Sequence, residues 1–500
     1  MNILIDTNIV ISLEPTTSDY REPRTAVAAE LVRVVTEGGN RLLLHPDSLR
    51  ELAGFKDSEA RELRDVLLGK YPRLDPAPPM ADRVRVELGD VHPPNHDYVD
   101  HLMLSAVVAN AVQFLVTDDG RIVKKASRLG IADRVFTVED ALALLTSLLG
   151  RTPQPPPLVE ATKAYDLDPT DPIFDSFRKD YATFDSWLEK CQLDHRTAWV
   201  IRDGDSLAAV CIIKERDEEL QLGGSTLKVC SLKVSETRAG RRYGELMLKT
   251  IFRYLAENRY EYVFLTVFER HAGLTTLLED FGFMRHEPDK STGERYYVKG
   301  LHPTSEQRAA TPALDFHVLF GPPAVKLTGG DVFLVPIQPR YHRLLFPDAE
   351  PQTVPQQLEL DPTVIPPREP RPFGNALRKA YLCKTSNRRL RPGSALLFYR
   401  SWDDQAITCV GVVEDTLVSG DATSVAGYVG QRTVYSLQEI EGMCNHGEEI
   451  VAIRFRQDRL LAEPIRRAEM VSMGIASRAP MSIQRVPPGV LTWLDERIGE

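Results

Sequence analysis

Apolar and polar positions follow three different rhythms along this chain. In the first ~145 residues, short apolar runs alternate with segments of helical period. NILIDTNIVI, NRLLLHP, QFLVTDD and RVFTVED read as strands, and RTAVAAELVRVVTEG and DYVDHLMLSAVVANA as helices. Such alternation builds a parallel sheet covered by helices, and the ligand site of such a sheet lies at the carboxyl ends of its strands. The middle region reads as antiparallel strands (TAWVIRDGDSLAAVCIIKER, STLKVCSLKVS), an amphipathic helix (RRYGELMLKTIFRYLAENR), a strand (YEYVFLTVF) and a helix running into a turn (LTTLLEDFGF). The last region is mostly strands: DVFLVPI, GSALLFYRS, AITCVGVVED and EIVAIRF. The fold class expected is therefore multidomain: a parallel α/β sheet, an α+β domain and a mostly-β domain.

Five hundred residues suit about three domains. The proline-rich RTPQPPP at 151–157 is too stiff to continue a helix and marks a boundary. A second composition shift falls at 301–312, and a third proline-rich stretch at 347–372 reads as a long loop. The domains expected are 1–148, a linker at 149–164, 165–302, and 313–500. A hydrophobic fraction of 43% and a charged fraction of 26% are ordinary for globular domains. No apolar run reaches the ~18 residues of a membrane span. The N-terminus has no basic leader and places an Asp inside its apolar run, so it reads as a first strand. The six cysteines form no CxxC pair, and the eleven histidines show no HExxH spacing. A disulfide framework or zinc site is not expected, and a cytoplasmic location is the simple reading. At a net charge of −10 the chain is no bulk nucleic-acid binder. Any such contact needs a local patch, and Arg371–Arg400 supplies one, with eight Lys/Arg and no Asp or Glu.

Four carboxylates fall at informative places in the first region. Asp6 ends the first strand, Glu51 lies early in a helix after the second, Asp100 opens a helix, and Asp119 follows the strand FLVTDD. Crowded carboxylates stay ionised only with a cation among them, and hard oxygen ligands with open positions suit Mg²⁺ or Mn²⁺. Taken singly, each Asp could equally be a cap or turn residue. ILIDTN, the later Glu, D-x-x-x-x-x-A and VTDD together resemble the PIN-domain ribonuclease family. That resemblance implies catalytic and metal-binding roles for Asp6, Glu51, Asp100 and Asp119. Thr7 or Asn8 would support the metal site, and Asp97 and Asp118 could substitute. It also implies an RNA substrate, single-stranded or tRNA, and pairing into a homodimer.

Residues ~165–300 resemble the GNAT family of acetyl-CoA-dependent acetyltransferases. The motif is CSLKVSETRAGRRYGELMLKTI, in which a strand closes at Val234 and a Gly/Arg-rich loop opens a helix. A helix N-terminus offers free N–H groups and a positive dipole end to a pyrophosphate. The resemblance implies that Val234, Gly240, Arg241, Arg242, Tyr243 and Gly244 bind acetyl-CoA. The sequence departs from the family in two places. Arg242 stands at the first glycine position, and Leu278 stands where a Tyr often acts as general acid. Tyr296, Tyr297 and Glu294 are nearby candidates for acid–base work.

Residues ~313–500 resemble the ASCH/PUA-like small β-barrels, on FGNALRKAYLCKTSNRRLRPGSALLFYRSWDDQAITCVGVVED. Such barrels are associated with RNA or modified bases. Arg378, Lys379, Lys384, Arg388, Arg389 and Arg391 would contact phosphates, with Arg400 nearby. Phe373, Tyr381, Phe398 and Tyr399 would either stack on bases or fill the core. The combined expectation is a metal-dependent ribonuclease coupled to an acyltransferase and a nucleic-acid reader, with a toxin-like or defence role suggested by family association. One alternative is an N-acetyltransferase on a non-catalytic PIN scaffold. Another is a nucleic-acid-binding protein in which both enzyme folds are degenerate.

Overall fold

The computed structural model of the chain describes residues 1–7, 9, 23–37, 39–48, 71–93, 95, 97–148, 159–204, 206–235, 242–349 and 375–499. The first region holds β1 (Asn2–Ile5), α1 (Pro23–Glu37), β2 (Arg41–Leu43), α2 (Asp82–Leu88), α3 (Asp97–Val108), β3 (Phe114–Val116), α4 (Gly120–Arg128), β4 (Val135–Phe136) and α5 (Val138–Leu148). Its four strands pair in the order β2-β1-β3-β4, all parallel. Ile3 and Ile5 pack with the apolar sides of α1 and α5, while Leu4 faces Val84, Leu102, Val107 and Ile122 on the opposite helices. Burial on both faces explains why these strands read as continuous apolar runs rather than alternating ones.

The middle region holds β5 (Glu160–Lys163), α6 (Asp175–Asp180), α7 (Phe184–Leu193), β6 (Thr197–Asp203), β7 (Ser206–Lys214), β8 (Thr226–Val234), α8 (Tyr243–Glu257), β9 (Tyr262–Val267), α9 (Ala272–Asp280), β10 (Met284–His286) and β11 (Arg295–Gly300). Its seven-stranded sheet runs β10-β11-β9-β8-β7-β6-β5. Antiparallel pairing holds throughout except between β8 and β9, which are parallel. Odd residues of β9 (Val263, Leu265, Val267) share a core with α8. On the other face of the sheet, Ala198, Val200, Val210 and Ile212 pack with Phe184 and Leu188 of α7.

The last region holds α10 (Ser305–Ala310), α11 (Ala313–Phe320), β12 (Val332–Ile337), α12 (Pro339–Leu345), β13 (Arg378–Cys383), β14 (Ala395–Arg400), β15 (Ala406–Ser419), α13 (Ala422–Val429), α14 (Leu437–Met443), β16 (Ile450–Arg466), α15 (Arg467–Ser472), β17 (Gln484–Arg485) and α16 (Leu491–Gly499). Six strands form one sheet in the order β13-β16-β15-β14-β12-β17.

The chain divides into two compact units. One comprises 1–153 together with 417–450, and the other 154–416 together with 451–500. The second unit thus contains both the seven-stranded and the six-stranded sheets. The first contains the parallel sheet plus an excursion, α13 and α14, made between two strands of the last region. Local capping starts both excursion helices. Asp421 accepts from the backbone N–H of Ser424 at 2.8 Å, and Ser436 with Glu439 forms a capping box. Within this unit Arg432, 7% exposed, donates to both carboxylate oxygens of Asp133 at 3.2 and 3.0 Å. Gly427 lies against Gln113, which in turn accepts from the N–H of Asn2 at 2.7 Å.

Candidate functional site

Among the described residues the carboxylates of the first region do not gather into a metal-holding group. Asp6 is buried, and its Oδ2 accepts from the hydroxyl of Thr117 at 2.7 Å. The same hydroxyl oxygen accepts from the backbone N–H of Asp119 at 3.0 Å, so Thr117 bridges two of the four positions. Asp119 caps α4 and is clasped by the guanidinium of Arg121, with Nη2 at 2.6 Å from Oδ2, which pulls its pKa below the usual range. Lys125 inserts its ammonium between Asp97, at 2.7 Å, and Asp100, at 2.8 Å. Glu51 and Asn8 lie outside the described residues. Among the described residues no group of three or more His, Cys, Asp or Glu side chains is arranged to hold a metal ion. Cations of α4 occupy these acids instead: Arg121 meets Asp119, and Lys125 meets Asp97 and Asp100. The parallel sheet is present, but a PIN-type nuclease centre is not supported.

The middle region carries a different kind of opening. β8 and β9 pair only over Thr226–Lys228 and Tyr262–Phe264. Beyond that they part, although β8 stays paired to β7 as far as Val234 and β9 to β11 as far as Val267. The diverging edges leave strand N–H and C=O groups without a sheet partner across the gap, and such groups need partners of some kind. The gap opens towards the start of α8. There Gly244 lies close to its neighbours: a Cβ would stand 2.9 Å from Cδ2 of Leu277 on α9, the movable end of that side chain, and 3.9 Å from Cγ2 of Val234. Tyr243 is buried in the core beneath, and Val234 closes β8 as expected. Gly240 and Arg241 lie outside the described residues.

Arg242 takes a left-handed conformation, φ 57°, at the N-cap of α8. Its guanidinium is not turned to solvent. It pairs with Glu245 in the first turn of α8 and donates to the carbonyl of Arg378 at 3.0 Å. Arg242 therefore helps build the helix start, and the backbone N–H groups of that start are what remain to meet an anion. Leu278 is fully buried and offers no acid.

The other face of the sheet, shared with α7, gathers polar groups at the end of β9. Glu294, 5% exposed, accepts from the hydroxyls of Tyr181 (2.7 Å), Thr266 (2.8 Å) and Thr292 (2.8 Å). Burial raises its pKa, but the hydroxyl bonds outweigh that and hold it below the usual range. Tyr296 donates to Glu219 at 3.0 Å, and burial and that carboxylate push its pKa to about 12. Tyr297, on the opposite face in the core with α8, is buried with its hydroxyl towards Glu279. At the turn into α9, Nε2 of His271 lies 2.9 Å from Oδ2 of Asp180, whose Oδ1 accepts from Arg270 at 2.7 Å. His271 and Asp180 belong to elements 91 residues apart. No periodic or motif signal in the sequence pairs them, and a reading of the histidines as scattered passes over this one.

In the last region the basic residues separate into two groups. Arg378 and Lys379 do not face solvent. Arg378 donates to Asp280 at 2.8 Å and stacks 5.3 Å from the centre of the Phe281 ring. Lys379 is fully buried, 5.5 Å from the centre of Phe346, and burial pushes its pKa well down. At the start of β13 Arg378 is tied to Asp280 and Lys379 is enclosed, so neither is placed to receive a phosphate, contrary to the expectation. Lys384, Arg388, Arg389 and Arg391, in the loop between β13 and β14, are exposed. Tyr381, Phe398 and Tyr399 are buried, with Phe398 4.8 Å from the Phe455 ring, and fill the core instead of a stacking platform. Phe373 lies outside the described residues.

Residues 161–283 match the acetyltransferase (GNAT) family. The matched span runs from β5 to the turn after α9 and includes the divergence of β8 and β9. Solved structures similar to parts of the chain include an N-acetyltransferase from Staphylococcus aureus Mu50, at 14% identity over 29% of this chain and 99% of that one, TM-score 0.24. A GNAT family acetyltransferase from Elizabethkingia anophelis with acetyl-CoA bound is similar at 13% identity over 29% and 98%, TM-score 0.21. ASCH from Zymomonas mobilis is similar at 10% identity over 33% and 94%, TM-score 0.24. Among curated proteins none matches the chain. Among the described residues no helix is long and apolar enough to cross a membrane.

Proposed function

We propose that the chain is an acetyl-CoA-dependent N-acetyltransferase whose active unit is the GNAT region. The observation that carries the reading is the parting of β8 from β9 after Lys228 and Phe264. The pantetheine arm of coenzyme A carries amide groups that can pair with such a free strand edge, as an added strand would. Its pyrophosphate would meet the N-terminal N–H groups of α8, where Gly244 lies beside Val234 and Leu277. Acetyl-CoA, when bound, supplies an activated acetyl thioester. The residues of this chain present the strand edge and cap the helix start.

The test is calorimetric titration with acetyl-CoA and coenzyme A, together with a thiol-release assay on amine acceptors. Saturable micromolar binding with transfer supports the reading. No binding at millimolar acetyl-CoA would end it.

A second reading concerns the exposed loop Lys384–Arg391. Its four cations carry little acidic company and fit a phosphate backbone. We propose RNA contact there, which makes the last region a targeting element for the transferase.

A further inference from the structure

We propose that Arg378, at the start of β13 and beyond the matched span, is a positioning residue for acetyl-CoA that acts through Glu245 to keep the start of α8 attractive to the pyrophosphate. This rests on the acetyltransferase reading above and adds to it a part played by the six-stranded sheet. Glu245 poses the difficulty. It lies in the first turn of α8 and is 2% exposed. A carboxylate there is drawn to the positive end of the helix dipole, so it competes with any other anion for that end. Arg242, the N-cap residue, pairs with it. The pair by itself carries no net charge to offer a phosphate.

Arg378 adds the missing charge. Its backbone N–H donates to Oε1 of Glu245, and its Nε lies 3.3 Å from Oε2, the oxygen that Arg242 also meets. Two guanidinium groups therefore share one enclosed carboxylate. Arg378 reaches a second acid, Asp280, at 2.8 Å, but that side chain is 42% exposed and water screens it more. Arg456 lies over the same Phe281 ring as Arg378 and is matched by Glu414 at 2.6 Å. Among the described residues the enclosed charge at the α8 start thus comes out positive by one guanidinium.

The guanidinium is held in place by its strand. β13 pairs Arg378 with Arg456 of β16, and Leu377 before it is buried in the core that α8 shares. Lys249, one turn further along α8, donates to Oδ1 and to the carbonyl of Asn375, at 2.9 and 3.2 Å. A cation fixed before its ligand arrives costs little to order, which is how preorganised groups gain affinity. The acetyltransferase match ends at residue 283, so this part falls to a residue that the matched span lacks. A weld between two sheets would use the same contacts, and the two roles differ in their ligands. A weld acts on every ligand alike, whereas a surplus charge acts on the anionic part alone.

The experiment measures binding of two probes to the full chain by calorimetry: acetyl-CoA, and S-acetylpantetheine, which has the thioester arm and no phosphate. Arg378→Gln keeps the backbone N–H to Glu245 and leaves Leu377 in its core, so it removes the charge and not the tie. It is expected to weaken acetyl-CoA binding roughly tenfold, the effect of one unit charge about a helical turn away in a medium between protein and water. S-acetylpantetheine should bind it as it binds the parent. Arg378→Lys, which keeps a cation, should recover most of the loss. Glu245→Gln removes the opposing carboxylate and should tighten acetyl-CoA binding, and rising salt should shrink both effects. Should Arg378→Gln weaken the two probes equally, Arg378 is a weld and the proposal falls. It falls also if acetyl-CoA binds Arg378→Gln as tightly as the parent, or if Glu245→Gln weakens acetyl-CoA alone. Failure of the parent to bind acetyl-CoA strikes the underlying reading instead.

Discussion

The carboxylate of Glu245, in the first turn of α8, accepts the backbone N–H of Arg378, 133 residues further along the chain at the start of β13. It also pairs with the guanidinium of Arg378 at 3.3 Å and with that of Arg242. The helix start proposed to meet coenzyme A is thus tied to the six-stranded sheet by one enclosed carboxylate, 2% exposed. Leu377, the residue before β13, even joins the core of the seven-stranded sheet.

Glu245→Ala should therefore cost about 3–5 kcal/mol, because it removes the enclosed carboxylate that Arg242 and Arg378 share, with Arg378 keeping only Asp280 as an acidic partner among those described. Chemical denaturation of the full chain measures it. Burial alone raises the Glu245 pKa, but Arg242 and Arg378 outweigh it and hold it at about 2, below the ordinary 4.5. The folded state then binds fewer protons than the unfolded one at mildly acidic pH. The stability this group provides is complete above about 4.5 and is lost as pH falls towards 2. A parent that loses stability between these values more steeply than Glu245→Gln does is the expected outcome.

Gly282 follows α9 with φ +77°, and a Cβ there would stand 2.1 Å from the carbonyl oxygen of Val318. Gly282→Ala should destabilise by more than about 2 kcal/mol, from left-handed strain and backbone overlap together. Gly273, in α9 with nothing within 4 Å, is the control. Gly273→Ala should gain about 0.5 kcal/mol. Equal thermal midpoints for the two variants would contradict this account.

Arg432→Ala removes a two-oxygen contact with Asp133 inside the first unit. A loss of about 1–2 kcal/mol is expected, discounted because Asp133 is 34% exposed. Hydrogen exchange should accelerate in β4 and α13 and stay unchanged in β8 and β9.

The exposed loop and the enclosed pair of cations should part company in RNA binding. Neutralising Arg388, Arg389 and Arg391 is expected to reduce the slope of log affinity against log salt by roughly two to three, at about one per phosphate contact. Lys379→Met should leave that slope unchanged. Fluorescence anisotropy at several salt concentrations separates the two.

Much of the architecture was legible from periodicity. β1, β3 and β8, the helix from Tyr243 to Glu257 and the Gly-Phe turn at 282–283 lie where apolar spacing places them. Periodicity reports which face of an element is apolar, and it is silent on what neutralises a charge. Asp100 reads as a metal ligand until Lys125, 25 residues later, is seen against it. Lys379 reads as surface until its strand is found sealed against Phe346. Arg242 and Glu245 share one helical turn, yet their third partner, Arg378, arrives from a different sheet. α13 and α14 interrupt a run of strands and belong to a unit begun more than two hundred residues earlier, a relation no local pattern encodes.

That excursion has a consequence on the ribosome. The first unit draws its last pieces from 417–450, so it stays incomplete long after its own sheet has emerged. At about 5–20 residues per second, the interval between residues 153 and 450 lasts roughly 15–60 s. During that time Gln113 and Asp133 wait for Gly427 and Arg432, so the first unit gains these contacts only late in synthesis.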